Sequence, residues 1–393
     1  MLMHALAPPT PGGTPIVLAR LLERLPGFRL EVVTDRRLRR RVRSGANGTL
    51  AGRYRFVWKW PGWGGRWRAG RVAGLAIDLV LSAVAGVRAA RWARRDDVRW
   101  IVSVTDEGFS PIAGAIAARL ARLPHVVMVF DLWEENAYSD VHRALARRLE
   151  RPIFRAAARI IGFCEETAEH YRAKHGIEVA VLRTPVDVRS APAARRSPSA
   201  SGGDNRELLL TGAVYWAQYD AVARLLRVRD RIPGLEVVAL GNRAMLDMHG
   251  LEADRYEDVL HGAAFRERLA RADVLFLGLS LRSDHPAVIE TATPARLVEL
   301  MCSGRPFLVH APPGSHVAEY ARRERFATVV DEADDGALEA GLRALLADKT
   351  DGAKAVARGW RIAAERHNSD SVRDAFARLL RDTSRPMRER PTP

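Results

Sequence analysis

The sequence predicts an α/β protein built of two doubly wound parallel-sheet domains. Short apolar runs alternate with helical segments, and the alternation occurs twice. The two series are separated by RSAPAARRSPSASGGDN at 189–205, whose Pro, Ser, Ala and Gly suit a surface linker. A chain of 393 residues also exceeds one ordinary core. The expected domains are 1–188 and 206–366, with 367–393 a terminal helix and tail that packs back on the first. Two such domains in series place a cleft between the carboxyl ends of two parallel sheets.

The first series opens with a strand near Leu6, the turn PPTPGG, a helix from about Pro15 to Leu25 and the strand LEVVT. After a basic region comes a long helix around Val72–Arg94, then WIVSV at 100–104, a helix near Ala113–Arg122 and HVVMVF at 125–130. A helix over Val141–Ala157, RIIGF at 159–163 and VAVLR at 179–183 close the set. The second series reads LLLTG at 208–212, helix Tyr219–Arg231, EVVALG at 236–241, helix Phe265–Ala270 and DVLFLGL at 273–279. A helix ending at Met301, FLVHA at 307–311, ATVVD at 327–331 and helices near Asp335–Ala347 and Asp351–Arg366 complete it.

At 47% hydrophobic and 28% charged, the composition excludes a disordered chain. Cys164 and Cys302 each lie in an apolar segment, far apart, and form neither a disulfide framework nor a metal cluster. The 11 histidines include no HxxxH or HxH pair, so no metal site is expected. No GxSxG elbow or Walker loop occurs. The opening MLMHALAPPTPGG has no signal-peptide pattern, and a cytoplasmic location is expected. The net charge of +15, though inflated by the Arg content of a GC-rich genome, favours an anionic partner such as a nucleotide, a phospholipid or a nucleic acid.

The segment from Ile289 to Pro313, IETATPARLVELMCSGRPFLVHAPP, carries the most chemistry. Thr293 is placed to cap a helix, Pro294 to occupy its first turn, and Gly304 with Pro306 to stop it. Leu297, Leu300 and Met301 form its inward stripe, and Glu299 sits at the edge of that stripe. There it is either a solvated carboxylate or a carboxylate aimed into the cleft. Gly12 and Gly13, between a strand and a helix, either make a tight turn or let backbone approach a ligand closely. Asp131 ends a buried strand on the sheet's carboxyl edge. It either caps the turn at Trp133–Asn136 or orients and deprotonates a hydroxyl.

HPAVIETATPARLVELMCSGRPFLVHAPPGSH at 285–316 resembles the donor-binding segment of retaining GT-B glycosyltransferases of family 4. The resemblance extends, in order, to PPTPGG, VVMVFDLWEENAYSD at 126–140, ARIIGFCEETAEHYRAKHGIEVAVLRTPVD at 158–187 and TGAVYWAQYD at 211–220. It implies a GT-B fold, two Rossmann-like domains facing each other across a cleft. It also implies transfer of a sugar from a UDP- or GDP-linked donor to a hydroxyl acceptor, with retention and no further cofactor. The matching carboxylate, Glu299, then accepts hydrogen bonds from both ribose hydroxyls. The helix start at Thr293–Arg296 faces the diphosphate, Gly12, Gly13 and Gly212 admit the donor, and Asp131 looks toward the acceptor.

Two departures stand out. A Glu-x7-Glu pair is common in the family, but Thr291 stands eight residues before Glu299, leaving Glu290 as the candidate for the donor sugar. Gly212 is followed by AVYWAQYD without the usual Arg and Lys, so Arg296 either supplies the phosphate charge or is a surface arginine. The departures keep open a catalytically silent partner subunit, and a nucleotide-sugar epimerase of the same fold.

RYRFVWKWPGWGGRWRAGR at 53–71 sets Trp58, Trp60, Trp63 and Trp67 among cations. It suits an anionic membrane surface on the inner face of the cytoplasmic membrane, a lipid-linked or cell-envelope acceptor, or single-stranded nucleic acid. A loop folded on its own domain is the plainer alternative. The double α/β architecture makes nucleic acid the least expected partner.

Overall fold

The computed structural model of the chain describes all residues except 5, 11, 47, 59–67, 106–109, 138, 190–205, 213, 242, 348 and 384–393, and the side chains of 68–71 and 349. From residue 190 on, the expected linker lies outside the described residues. Two compact units are present, one of Met1–Pro185 with the residues from Ser369 on, the other Val186–Asn368.

The first unit holds β1 (Leu2–Met3), β2 (Glu31–Asp35), β3 (Arg53–Val57), β4 (Ile101–Thr105), β5 (His125–Val129), β6 (Arg159–Gly162) and β7 (Ala180–Val181). Their order is β3-β2-β1-β4-β5-β6-β7, all parallel. Central strands such as β4 and β5 are buried at every position, as a sheet covered on both faces requires. The opening strand lies at Leu2–Met3, not near Leu6, which is exposed. After it the chain turns at once, with Thr10 donating from N and Oγ1 to the Ala7 carbonyl at 3.2 and 2.8 Å.

Helix Gly13–Leu22 starts two residues before Pro15, from an N-cap at Gly12 with φ +137°. The helix Ser369–Asp382 belongs to this unit. Arg373 Nε donates to the Arg20 carbonyl at 2.8 Å, and Trp100 Nε1 donates to Thr383 Oγ1 at 3.0 Å.

The second unit holds β8 (Arg206–Leu210), β9 (Leu235–Leu240), β10 (Arg255–Glu257), β11 (Val274–Gly278), β12 (Phe307–His310) and β13 (Thr328–Val330). They form a parallel sheet in the order β10-β9-β8-β11-β12-β13. Period-two alternation sorts its side chains. Leu208, Leu210, Val274 and Phe276 pack on one face, Leu209, Leu275 and Leu277 on the other. Each such fully buried leucine contributes about 2 kcal/mol of apolar burial. Because β8 is flanked by β9 and β11, the chain reverses direction across the sheet between β8 and β11. In open α/β sheets, ligands bind outside the carboxyl ends of the strands at such a break.

Candidate functional site

Residues from three segments meet at the carboxyl ends of β8 and β11. Gly212 follows β8 with φ +80°, a conformation that favours glycine. The Arg296 side chain lies directly on it. A Cβ at 212 would stand 2.1 Å from Nη1 and 3.0 Å from Cδ of that arginine. Nη1 donates to the Thr211 carbonyl and Nη2 to the Gly278 carbonyl at 3.5 Å, so the guanidinium bridges the ends of the two strands. Arg296 as a whole is half-buried, but its charged end is enclosed, and Nε has no hydrogen-bond partner. Thr211 Oγ1, buried beside it, has none either. Burial draws the guanidinium down to about 10, while Tyr215 pulls the other way. At neutral pH the group is still a cation, and its hydrogen-bond partners are both neutral carbonyls.

Two aromatic residues beside this site escaped the sequence reading. Tyr215 and Trp216 are exposed, their rings 5.9 Å apart edge to face, with the His285 ring 5.1 Å from Trp216. Their loop is tied to the one after β11. Ser280 Oγ donates to the Trp216 carbonyl at 2.7 Å, Ser280 N to the Ala217 carbonyl at 2.8 Å, and Asp220 accepts from Leu281 N at 2.9 Å. The sequence signal is the pair YW, three residues after the glycine that follows β8.

The helix expected from Thr293 is shorter, Leu297–Met301, and a separate short helix, Pro286–Glu290, precedes it. Thr293 and Pro294 lie in the connection between them, and the second helix is capped by Arg296, not Thr293. The amide of Leu297 is spent on the Pro294 carbonyl at 2.9 Å, and those of Glu299 and Leu300 on the Arg296 carbonyl. These bonds engage amides of the second helix, not those of Thr293, Ala295 and Arg296, and the Arg296 side chain adds positive charge beside them.

Leu297, Val298, Leu300 and Met301 are buried, which leaves Glu299 the one residue of its helix that is partly open. Glu290 ends the preceding helix and is exposed. Thr291 is buried, its Oγ1 donating to the Ala287 carbonyl at 2.9 Å.

In the first unit, Gly12 has the positive φ that a side chain resists, while a Cβ on Gly13 would meet nothing within 4 Å. Asp131 is half-buried just past β5, where its carbonyl accepts from Thr105 Oγ1 at 2.6 Å. Beyond it a charge cluster appears that the sequence did not announce. Lys174 Nζ reaches Glu134 at 2.9 Å and Glu135 and Glu150 at 2.7 Å each, and His175 Nε2 reaches Glu150 at 2.7 Å. Burial works to raise the Glu135 carboxyl, yet bonds from His170 and Lys174 hold it down at about 2. Trp58 is 62% exposed, with the Arg36 guanidinium 5.9 Å from its ring. Trp60, Trp63 and Trp67 lie outside the described residues. Cys164 and Cys302 are buried, and burial pushes the Cys164 thiol up to about 12.

Two Rossmann-like units of this order, with a glycine and an arginine at the switch point of the second, define the GT-B class of fold. Residues 12–198 match the family model described as glycosyl transferase 4-like domain. HepE from Anabaena, solved with UDP and glucose, superposes with a TM-score of 0.69 at 14% identity, covering 97% of this chain and 99% of that one. Sucrose-phosphate synthase from Thermosynechococcus elongatus gives 0.68 at 14% identity over 97% and 98%. A glycosyltransferase from Rickettsia africae gives 0.69 at 8% identity over 97% and 98%. No curated protein sequence matches the chain. The fold of the chain is that of GT-B glycosyltransferases, and residues 12–198 carry the likeness to the glycosyl transferase 4-like domain.

Proposed function

We propose that the chain moves a hexosyl group from a UDP- or GDP-linked donor to an acceptor hydroxyl, with retention and without a divalent metal. The observation that carries this reading is Arg296, an enclosed cation spanning the β8 and β11 ends whose hydrogen-bond partners, among the described residues, are neutral carbonyls. An enclosed cation of that kind favours an anion beside it. The diphosphate would lie against Gly212 and the unspent Nε edge of Arg296, which neutralises charge developing on the departing phosphate. Glu299 would take both ribose hydroxyls, a bidentate task suited to a carboxylate. Glu290 would meet the donor sugar, and Thr293 would line the same side.

In the first unit, Gly12 and Gly13 would admit a substrate close to backbone, and Asp131 would orient the acceptor hydroxyl or take its proton. The bond from the anomeric carbon to phosphate oxygen breaks, and a bond to the acceptor oxygen forms on the same face. A lipid-linked or cell-envelope glycan suits the exposed Trp58 and the tryptophans that follow it in sequence, on the cytoplasmic face of the membrane. That HepE was solved with UDP and glucose supports a uridine-linked donor.

Incubation with UDP- and GDP-sugars, with and without lipid acceptors, tests the reading. Acceptor-dependent release of UDP or GDP is expected. Conversion of the donor to an epimer without any acceptor, or no conversion of any donor, overturns it.

A further inference from the structure

The helix Arg68–Arg95 is much longer than the sheet it covers. Its 28 residues run about 42 Å, while a five-residue strand such as β3 spans about 17 Å. Its C-terminal end is pinned at the amino edge of the sheet. Asp96 takes Arg53 at 3.1 Å and also binds Arg55, and the Arg55 guanidinium lies 5.2 Å from the Trp92 ring. Ala85, Ala89 and Ala93 then pack in one cluster with Val57 and Ile101. Much of the N-terminal half of the helix therefore projects past the carboxyl edge.

That half is held by protein on one side. Gly74 and Asp78 are buried, with Asp78 Oδ2 at 3.3 Å from His142 Nε2. On the opposite side Val72 is 56%, Ile77 40%, Val80 62% and Val84 47% exposed. Spacings of three and four residues put Ile77, Val80 and Val84 in a single outward stripe. Further along, the same stripe continues as Arg88, Arg91 and Arg95, all exposed. A surface helix ordinarily turns its polar face outward, and the first half of this one does the reverse. Over an 18-residue window its mean hydropathy is 1.8, enough by composition for a membrane span, but its inward side is packed on protein. Such a helix lies along a membrane surface.

Charge on the same edge points to what covers the stripe. Directly after β2, Leu38 is buried while Arg36, Arg39, Arg40, Arg41 and Arg43 are exposed, and Arg36 stacks near the exposed Trp58 ring at the end of β3. The sequence holds no carboxylate between Asp35 and Asp78. An apolar protein partner would not select for so one-sided a field, whereas anionic headgroups do.

We propose that this edge of the first unit docks on an anionic phospholipid surface, with Ile77, Val80 and Val84 entering the acyl boundary and Arg36–Arg43 meeting the headgroups. The proposal uses none of the donor-side residues, so it stands or falls apart from the transfer reaction.

The full chain is sedimented with phosphatidylglycerol vesicles and, separately, with phosphatidylcholine vesicles. Binding to the first only is expected, fading near 0.5 M salt, where the screening length is about 4 Å. The variants Ile77→Ser/Val80→Ser/Val84→Ser and Arg39→Gln/Arg40→Gln/Arg41→Gln should each partition more weakly, the latter by about a hundredfold. Both should still bind UDP. Because Cys164 and Cys302 are buried, Val80→Cys accepts an environment-sensitive dye selectively, and its emission should shift to the blue on phosphatidylglycerol vesicles.

Equal binding to both lipids, no binding to either, an arginine variant that sediments like wild type, or an unshifted dye overturns the proposal. A dimer of the chain that the serine variant dissociates, with vesicles ignored, assigns the stripe to a second copy and overturns it as well.

Discussion

The guanidinium of Arg296 rests on the bare backbone of Gly212, at 2.1 Å from where a Cβ would stand. The two residues hold one another in place. The glycine is needed because φ is +80° and because the arginine occupies the space of a side chain. The arginine, in turn, is aimed by the carbonyls of Thr211 and Gly278. Gly212→Ala should therefore displace Arg296 and cost about 1–3 kcal/mol of stability from backbone strain and contact. Thermal unfolding and UDP titration calorimetry on the same variant should both register the change.

Arg296→Ala should weaken UDP or GDP binding by about 2–4 kcal/mol, as expected for a charged hydrogen bond lost in an enclosed site. Arg296→Lys should restore little of it, because one ammonium cannot bridge two strand ends and still face a phosphate. Full affinity in the lysine variant would place the diphosphate elsewhere.

Glu299→Ala should reduce nucleotide affinity by roughly 2–4 kcal/mol while leaving the ligand-free melting temperature nearly unchanged, since the residue is partly open and its four helix neighbours carry the packing. Calorimetry with UDP against uracil separates the ribose contact from the base. An unchanged difference between the two ligands would remove Glu299 from the site.

Transfer or donor hydrolysis should persist in excess EDTA, since Arg296 is offered as the charge that meets the diphosphate. Activity abolished by EDTA and restored by Mn²⁺ would overturn the proposed metal independence.

The Lys174 cluster sets an acid limit. Glu135 is held at about 2, below its usual 4.5, so its contribution is fully present above about 4.5 and is lost as pH falls toward 2. Melting temperature should fall across that window, and Glu135→Gln should flatten the fall while lowering stability at neutral pH.

The sequence made most of the buried strands legible, because strands covered on both faces read as unbroken apolar runs. It hid two of the four edge strands. β3 and β10 each pair on one side only, so RYRFV and RYE carry cations and a carboxylate where a central strand would carry valine. Helix Glu165–His175 was missed because it is polar over most of its length, although Gly176 in the left-handed region marks its end.

At the site, Gly212, Arg296 and Glu299 were each visible one at a time. Their meeting was not, since Thr211 and Arg296 are 85 residues apart and join only because β8 and β11 are neighbours. Thr293 misled because Thr-Pro, with Leu297, Leu300 and Met301 at helical spacing after it, satisfies every local rule for a helix start. The Pro294 carbonyl instead closes a turn onto Leu297.

The return of Ser369–Asp382 to the first unit bears on the order of events during synthesis. The second unit, Val186–Asn368, is contiguous and can close as soon as its last strand and helices leave the ribosome. The first unit, although begun at Met1, waits for the final helix to bring Phe376 and Leu380, both buried, and to supply Arg373 for the Arg20 carbonyl. A chain stopped after Asn368 would thus keep its later-made half whole and leave its earlier-made half with an uncovered apolar flank, exposed to proteases and to aggregation.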